Sequence, residues 1–232
     1  MTQHLIAVAG SAPGVGKSTL CRALTARIAV TGATVDHFEG EDVLTRPAFR
    51  PVAEEFAGGA RAVRPATLVA ATRSYVEEAR ADGVDVLVTD ALLPFVPSLV
   101  AWGHDETEIA RTVRDVAGAV EPTRVCVVYI RDDPEAALRR AVEREGPQWA
   151  DWYVDRLRSS PGTGSVRDLE SAAGHLRRES ALTLCVLAAT GWKVLVVDVD
   201  GRDAAQLEEE AGEWLQGWLG RELTGGEGRN GA

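Results

Sequence analysis

Lysine is nearly missing from this sequence: Lys17 and Lys193 are the only two among 232 residues, and arginine carries the rest of the positive charge. A lysine that stands in a glycine-rich loop, as Lys17 does, is therefore a poor candidate for chance. Positive charge is short overall, with 25 Lys plus Arg against 35 Asp plus Glu and a formal net charge of −10. Acid gathers towards the C-terminus at Glu208, Glu209, Glu210 and Glu213. That balance argues against a nucleic-acid partner, because a phosphate backbone is held by clustered cations; a small anion held by local arginines stays compatible. Cysteine is sparse. Cys21, Cys126 and Cys185 lie in apolar contexts without C-x-x-C spacing, which argues against a thiolate metal site and predicts reduced core residues. Long apolar runs are absent too, since nothing approaches the about 18 residues that span a bilayer. The apolar stretch at 5–9 is too short for a signal peptide. These absences lead to the expectation of a cytoplasmic protein with no membrane partner. At 45% hydrophobic, the length suits a single α/β domain over 1–221, with a flexible glycine-rich tail at 222–232.

What is present begins at Leu5-Ile6-Ala7-Val8-Ala9, which runs into Gly10-Ser11-Ala12-Pro13-Gly14-Val15-Gly16-Lys17-Ser18-Thr19 and then a helical pattern. A buried strand that breaks into glycines and restarts as a helix aims several backbone N–H groups at one point, at the positive end of a helix dipole. That arrangement suits a polyphosphate. In a phosphate-binding loop the lysine reaches the β- and γ-phosphates and the following hydroxyl ligates Mg²⁺, which assigns those roles to Lys17 and Ser18. Gly10, Pro13, Gly14, Val15, Gly16 and Thr19 complete the nucleotide site. The strict spacing asks for glycine at position 11, where this chain has Ser11.

Strand-like runs are expected at 4–9, 33–38, 84–89, 124–130 and 193–199. Helical patterns fill 17–31, 66–82, 105–119, 134–145, 166–190 and 203–221. The alternation, with near-continuous Val, Leu and Ile in the strands, predicts a parallel sheet covered by helices on both faces. Ligands of such a sheet lie beyond the strands' C-terminal ends, where the sequence sets Gly10, Asp36, Asp90, Arg131 and Asp198.

Asp90 follows Val84-Asp85-Val86-Leu87-Val88-Thr89, a hydrophobic strand ending in an acid, and is expected to hold Mg²⁺ beside Ser18. Asp36 ends the second strand and is the first choice of base for an attacking hydroxyl; Glu39, Glu41 and Asp42 are rivals, and His37 alternates towards the opposite face. Pro134 can open a helix that sets Arg140 and Arg144 one turn apart. Those guanidiniums either neutralise a phosphoryl group in transfer or pair with Glu135 and Glu143 on a solvated face. Trp149, Trp152 and Tyr153, ahead of the turn-rich 159–165, either form part of a lid over an apolar substrate or pack on the sheet. Residues 43–65 carry Arg46, Arg50, Arg61 and Arg64, any of which can recognise an anionic group on an acceptor. Phe95 and Trp102, in the segment after Asp90 that also holds Pro94, can pack on its apolar part.

Together the loop Gly14-Val15-Gly16-Lys17-Ser18-Thr19, the acid ending strand two, the Asp90 strand, the arginine helix after strand four and Val197-Asp198-Val199-Asp200-Gly201 resemble the P-loop kinases of small molecules. That group includes nucleoside and nucleoside monophosphate kinases, gluconate and shikimate kinases, and chloramphenicol phosphotransferase. The resemblance implies a three-layer fold with sheet order 2-3-1-4-5 and an arginine-bearing lid, here about 134–165. It also implies transfer of the γ-phosphoryl group of ATP to a hydroxyl, and an adenine near Asp198 to Arg202. The Asp-Arg pair that nucleoside kinases carry after strand three is missing; the chain reads Asp90-Ala91-Leu92-Leu93-Pro94-Phe95.

The expected function is an ATP- and Mg²⁺-dependent kinase whose acceptor is a small nucleoside-like compound or an antibiotic, with the oligomeric state, homodimer included, left open. A second reading is an ATPase switch acting on a partner protein, although the additional lysine of such loops is replaced here by Ser11 and Ala12. A GTPase would want Asn/Thr-Lys-x-Asp after strand four, where the chain has Ile130-Arg131-Asp132-Asp133.

Overall fold

The computed structural model describes residues 2–57, 62–91 and 95–224. Five strands form one parallel sheet: β1 (His4–Gly10), β2 (Val35–Phe38), β3 (Val86–Thr89), β4 (Arg124–Arg131) and β5 (Lys193–Asp198), in the order β2-β3-β1-β4-β5. All four pairings are parallel. Each expected strand is present, and the order is the one implied by the resemblance.

The strands lack a polar face because helices cover both sides. Alternate residues of β1 and β4 enter opposite cores: Leu5, Ala7, Val127 and Tyr129 one way, Ile6, Val8, Cys126 and Val128 the other. Burying each such side chain contributes about 1.5–3 kcal/mol relative to leaving it in water. The first core is closed by α3 (Pro65–Ala81), α4 (Val96–Ala101) and α5 (Glu106–Ala119). The second lies under α1 (Lys17–Ala29), α6 (Pro134–Glu145), α7 (Pro147–Arg158) and α9 (Ala204–Thr224). One helix, α8 (Leu169–Ala188), contributes to both.

Three short helical pieces, 3-10 turns at Gly40–Leu44 and Pro47–Phe49 and α2 (Arg50–Ala57), lie between β2 and α3. Helix α7 follows α6 after the single residue Gly146, whose φ of 91° breaks the line. The turn-rich 159–165 segment is docked: Gly162 N donates to Ala101 O at 3.0 Å, and Thr163 is buried. The expectation of three core cysteines is corrected, since Cys21 and Cys126 are buried but Cys185 is exposed on α8. Among the described residues no helix is long and apolar enough to cross a membrane.

Candidate functional site

The site is built where β1 ends, between helices leaving to opposite faces of the sheet, the position at which open α/β sheets receive ligands. Gly10 is the last residue of β1, and a Cβ on it would stand 2.6 Å from Val15 Cγ2. A side chain there would force Val15 to shift. Ser11, in place of the motif's first glycine, is buried and stitched to the end of β4. Its Oγ accepts from Asp132 N at 2.9 Å and donates to Asp132 O at 3.3 Å. Pro13 is half-buried and Val15 is buried in the core below the loop.

Gly16 caps α1 with φ 97° and ψ 16°, a left-handed conformation suited to glycine. No side chain caps this helix and no acid lies in its first turn, so the helix itself supplies no side-chain partner for its leading N–H groups. Lys17 Nζ donates to Ala12 O at 3.2 Å. Burial holds the Lys17 ammonium below its ordinary value, against the pull of Asp90 and, less strongly, Glu179. Ser18 Oγ donates to Asp90 Oδ2 at 2.5 Å, and Asp90 Oδ1 accepts Gly40 N at 3.0 Å. Thr19 is exposed at the rim of a cleft of about 190 Å³ bounded also by Gly14, Arg140, Val199 and Arg202.

After β5, Val199, Arg202, Ala204 and Leu207 flank this cleft, whereas Asp198, the last residue of β5, lines a neighbouring cleft with Arg131 and Asp132. Asp198 accepts from Arg131 Nε at 2.5 Å and Nη2 at 2.8 Å, which holds its carboxyl below the usual range. Arg202 donates to Asp198 O and pairs with Glu210. On α6, Arg140 pairs with Asp132, and Arg144 lies over the loop, its Nη2 3.3 Å from where a Gly14 Cβ would be. Arg144 also bonds Glu145 at 2.7 Å. Both arginines thus reach the loop's edge, while their partners are Asp132 and Glu145 rather than Glu135 and Glu143.

The candidates at the end of β2 separate. Asp36 is clamped: Arg46 Nη1 and Nη2 donate to its two oxygens at 2.9 and 2.8 Å, and Tyr75 OH adds a bond at 2.9 Å. Arg46 also lies over the Phe38 ring. Glu39 directs its carboxylate at Arg22 and His37, at 3.6 and 3.7 Å, next to the Gly40 that bonds Asp90. Asp42 accepts Glu39 N at 3.1 Å.

Several expected acceptor contacts lie elsewhere. Arg50 pairs with Glu54 at 2.9 Å and Arg64 with Glu55 at 2.6 Å, both on the surface. Phe95, at φ 61°, is buried in the α3–α5 core rather than offered to a ligand. Trp102 is half-buried against the edge of Phe56. Trp149 stacks on Tyr153 with centroids 4.9 Å apart and packs on the second core, while Trp152 stays exposed. Arg61 and Pro94 lie outside the described residues.

Sequence reasoning missed a half-buried acid on α8, Glu179, with the buried His175 one turn before it. The available signal was a His and a Glu at i,i+4 on the same helical face as Ala172, Leu176 and Thr183. Among the described residues no cluster of three or more His, Cys, Asp or Glu is arranged to hold a metal. The Ser18–Asp90 pair still fits Mg²⁺, which takes few protein ligands and completes its shell with water and phosphate oxygens, and the uncapped α1 fits a triphosphate. No protein-family model matches the chain, and no curated protein matches it.

Proposed function

We propose that the protein is an ATP- and Mg²⁺-dependent kinase that transfers a γ-phosphoryl group to a hydroxyl of a small molecule. The observation that carries this reading is the junction of the glycine loop with α1: an uncapped helix N-terminus, the Lys17 ammonium, and Ser18 bonded to Asp90. Lys17 would pair with the β- and γ-phosphates, and Ser18 with Asp90 would hold Mg²⁺. Mg²⁺ held there would supply positive charge that offsets the charge of the phosphate groups. The first-turn N–H groups of α1 bind and orient the phosphates. Arg144, over Gly14, and Arg140, at the cleft's edge, supply cations that offset charge on the group in transfer. Val199, Ala204 and Leu207 offer an apolar wall for a base between the segment after β5 and α1.

The test is ATP consumption with Mg²⁺ across nucleosides, sugars, amino acids and hydroxyl-bearing antibiotics, with mass detection of products. A phosphoryl mass gain on one compound, abolished by Lys17→Ala, supports the reading. Absence of any gain, with ATP hydrolysis stimulated only by a protein fraction, replaces it by the nucleotide-operated switch.

A further inference from the structure

The cleft beside the glycine loop runs between two helices. Thr19, Leu20 and Ala23 of α1 line one wall, and Ala204, Leu207 and Glu208 of α9 line the other. The last three stand at i, i+3 and i+4, on one face of α9. Both helices run back from the same end of the sheet, and they close on each other one turn beyond Ala23 and Glu208. There Arg27 lies across Gly212, its Nη1 2.6 Å from where a Cβ would be. Glu208 is therefore at the end of the cleft away from Gly14 and Gly16, which form the phosphate end in the kinase reading.

The walls near Glu208 are apolar, made by Leu20, Ala23, Ala204 and Leu207. Two of the charged side chains that line the cleft are committed: Arg140 pairs with Asp132, and Arg202 pairs with Glu210 and donates to Asp198 O. The third is Glu208. It is half-buried, and among the described residues its carboxylate has no hydrogen-bond or ion-pair partner. Its neighbours in the acidic run differ, since Glu209 is exposed and Glu210 is taken by Arg202. An ionised carboxylate only accepts hydrogen bonds, so the group that suits this end of the cleft is an N–H donor on a flat ring with apolar faces.

We propose that Glu208 selects the base of the nucleotide by accepting a hydrogen bond from the 6-amino group of adenine; the inference rests on the kinase reading. Hypoxanthine and guanine carry a carbonyl oxygen at that position, and a carboxylate repels it. Guanine can turn its N1 and N2 hydrogens to Glu208 only by leaving that carbonyl beside arginines already taken by acids, and a polar group left without its partner weakens binding. Adenine has no such group. Because Glu208 stands at the end of the cleft remote from the loop, its charge discriminates between bases without opposing the triphosphate.

The test is isothermal titration calorimetry of wild type, Glu208→Gln and Glu208→Ala with the magnesium complexes of ATP, ITP and GTP. ITP replaces the 6-amino group by a carbonyl. Wild type is expected to bind ATP about 10-fold more tightly than ITP or GTP. Glu208→Ala should bind ATP more weakly and ITP more tightly than wild type does, and Glu208→Gln, whose amide also donates, should bring ATP and ITP level. Both replacements are good helix formers, so α9 is kept, and a side chain that merely supported α9 would not strengthen ITP binding when removed. An ATP-to-ITP ratio unchanged in both variants overturns the assignment. Wild-type affinity for GTP equal to that for ATP overturns it too, because the carboxylate then reads the other edge of guanine. If wild type binds all three alike, the inference falls and the kinase reading stands, whereas failure to bind any of them removes that reading and the inference together.

Discussion

Ser18 Oγ lies 2.5 Å from Asp90 Oδ2, and the same carboxylate takes the Gly40 N–H with its other oxygen. Asp90 thus fastens the first turn of α1 to the segment after β2, and a metal bound at Ser18 would meet its charge. Asp90→Asn keeps the shape and removes the charge. The expected outcome is a loss of about 10–100-fold in affinity for magnesium-bound nucleotide, with affinity for metal-free nucleotide unchanged. Titrations of a fluorescent ATP analogue with Mg²⁺ and with EDTA measure both. An equal loss in the two titrations would assign Asp90 to the fold alone.

The Asp36 clamp predicts a different phenotype. A half-buried carboxylate that accepts from Arg46 twice and from Tyr75 once holds the chain after β2 against α3. Tyr75→Phe removes one hydrogen bond to a charged group and should cost about 1.5–3 kcal/mol in urea denaturation. Arg46→Lys keeps the charge but loses the bidentate fork and the contact with the Phe38 ring, and should also destabilise. Asp36→Asn should lose stability and, below its melting temperature, keep its turnover. A folded Asp36→Asn protein without turnover would make Asp36 the base.

How much of this was legible follows from what each residue depends on. The strands were readable because β4, for example, is Val-Cys-Val-Val-Tyr-Ile without interruption, a pattern that only a sheet covered on both faces supports. The loop was readable because its geometry is encoded locally, in glycines and a following helix. Helices α2, α4 and α7 were not placed, being short or separated from a neighbour by one residue. Phe95 looked like a ligand contact because an aromatic between prolines resembles a surface loop, whereas its burial depends on α3 and α5 arriving from elsewhere. Arg50 and Arg64 could not be assigned from sequence for the same reason: their partners, Glu54 and Glu55, are chosen by the turn of α2. The partial burial of Glu179 depends on the path of α8, whose Ser180 meets Tyr129 of β4.

Glu55 gives a pH-dependent prediction with a definite sign. Bonds from Arg64, then Thr67, lower its carboxyl from an ordinary 4.5 to about 2. A depressed folded-state value means that the ionised form stabilises the fold above pH 4.5, and that this contribution is lost as the pH falls towards 2. Arg64→Ala should therefore be less stable than wild type at neutral pH, by a modest amount because Arg64 is exposed. The difference should shrink through that window. Urea denaturation of both proteins across it measures the effect, and a difference independent of pH would show that Arg64 acts through packing.

Gly10 predicts a coupling rather than a single loss. A methyl group at this position meets Val15 Cγ2 at 2.6 Å, Ile130 O at 3.2 Å and Lys17 Cγ at 3.3 Å. The first is a clash with a side chain buried below the loop, and the last involves the residue expected to read phosphate. Gly10→Ala should therefore cost about 1–3 kcal/mol by overpacking and weaken nucleotide binding by displacing the Lys17 stem. Val15→Ala removes the clashing atom and by itself leaves a small cavity. In the double variant the methyl at position 10 enters that space, so the two losses should sum to more than the double variant shows. Thermal unfolding and nucleotide titration of all four proteins close the cycle. Strict additivity in both readouts would mean that glycine is required at position 10 for its backbone alone.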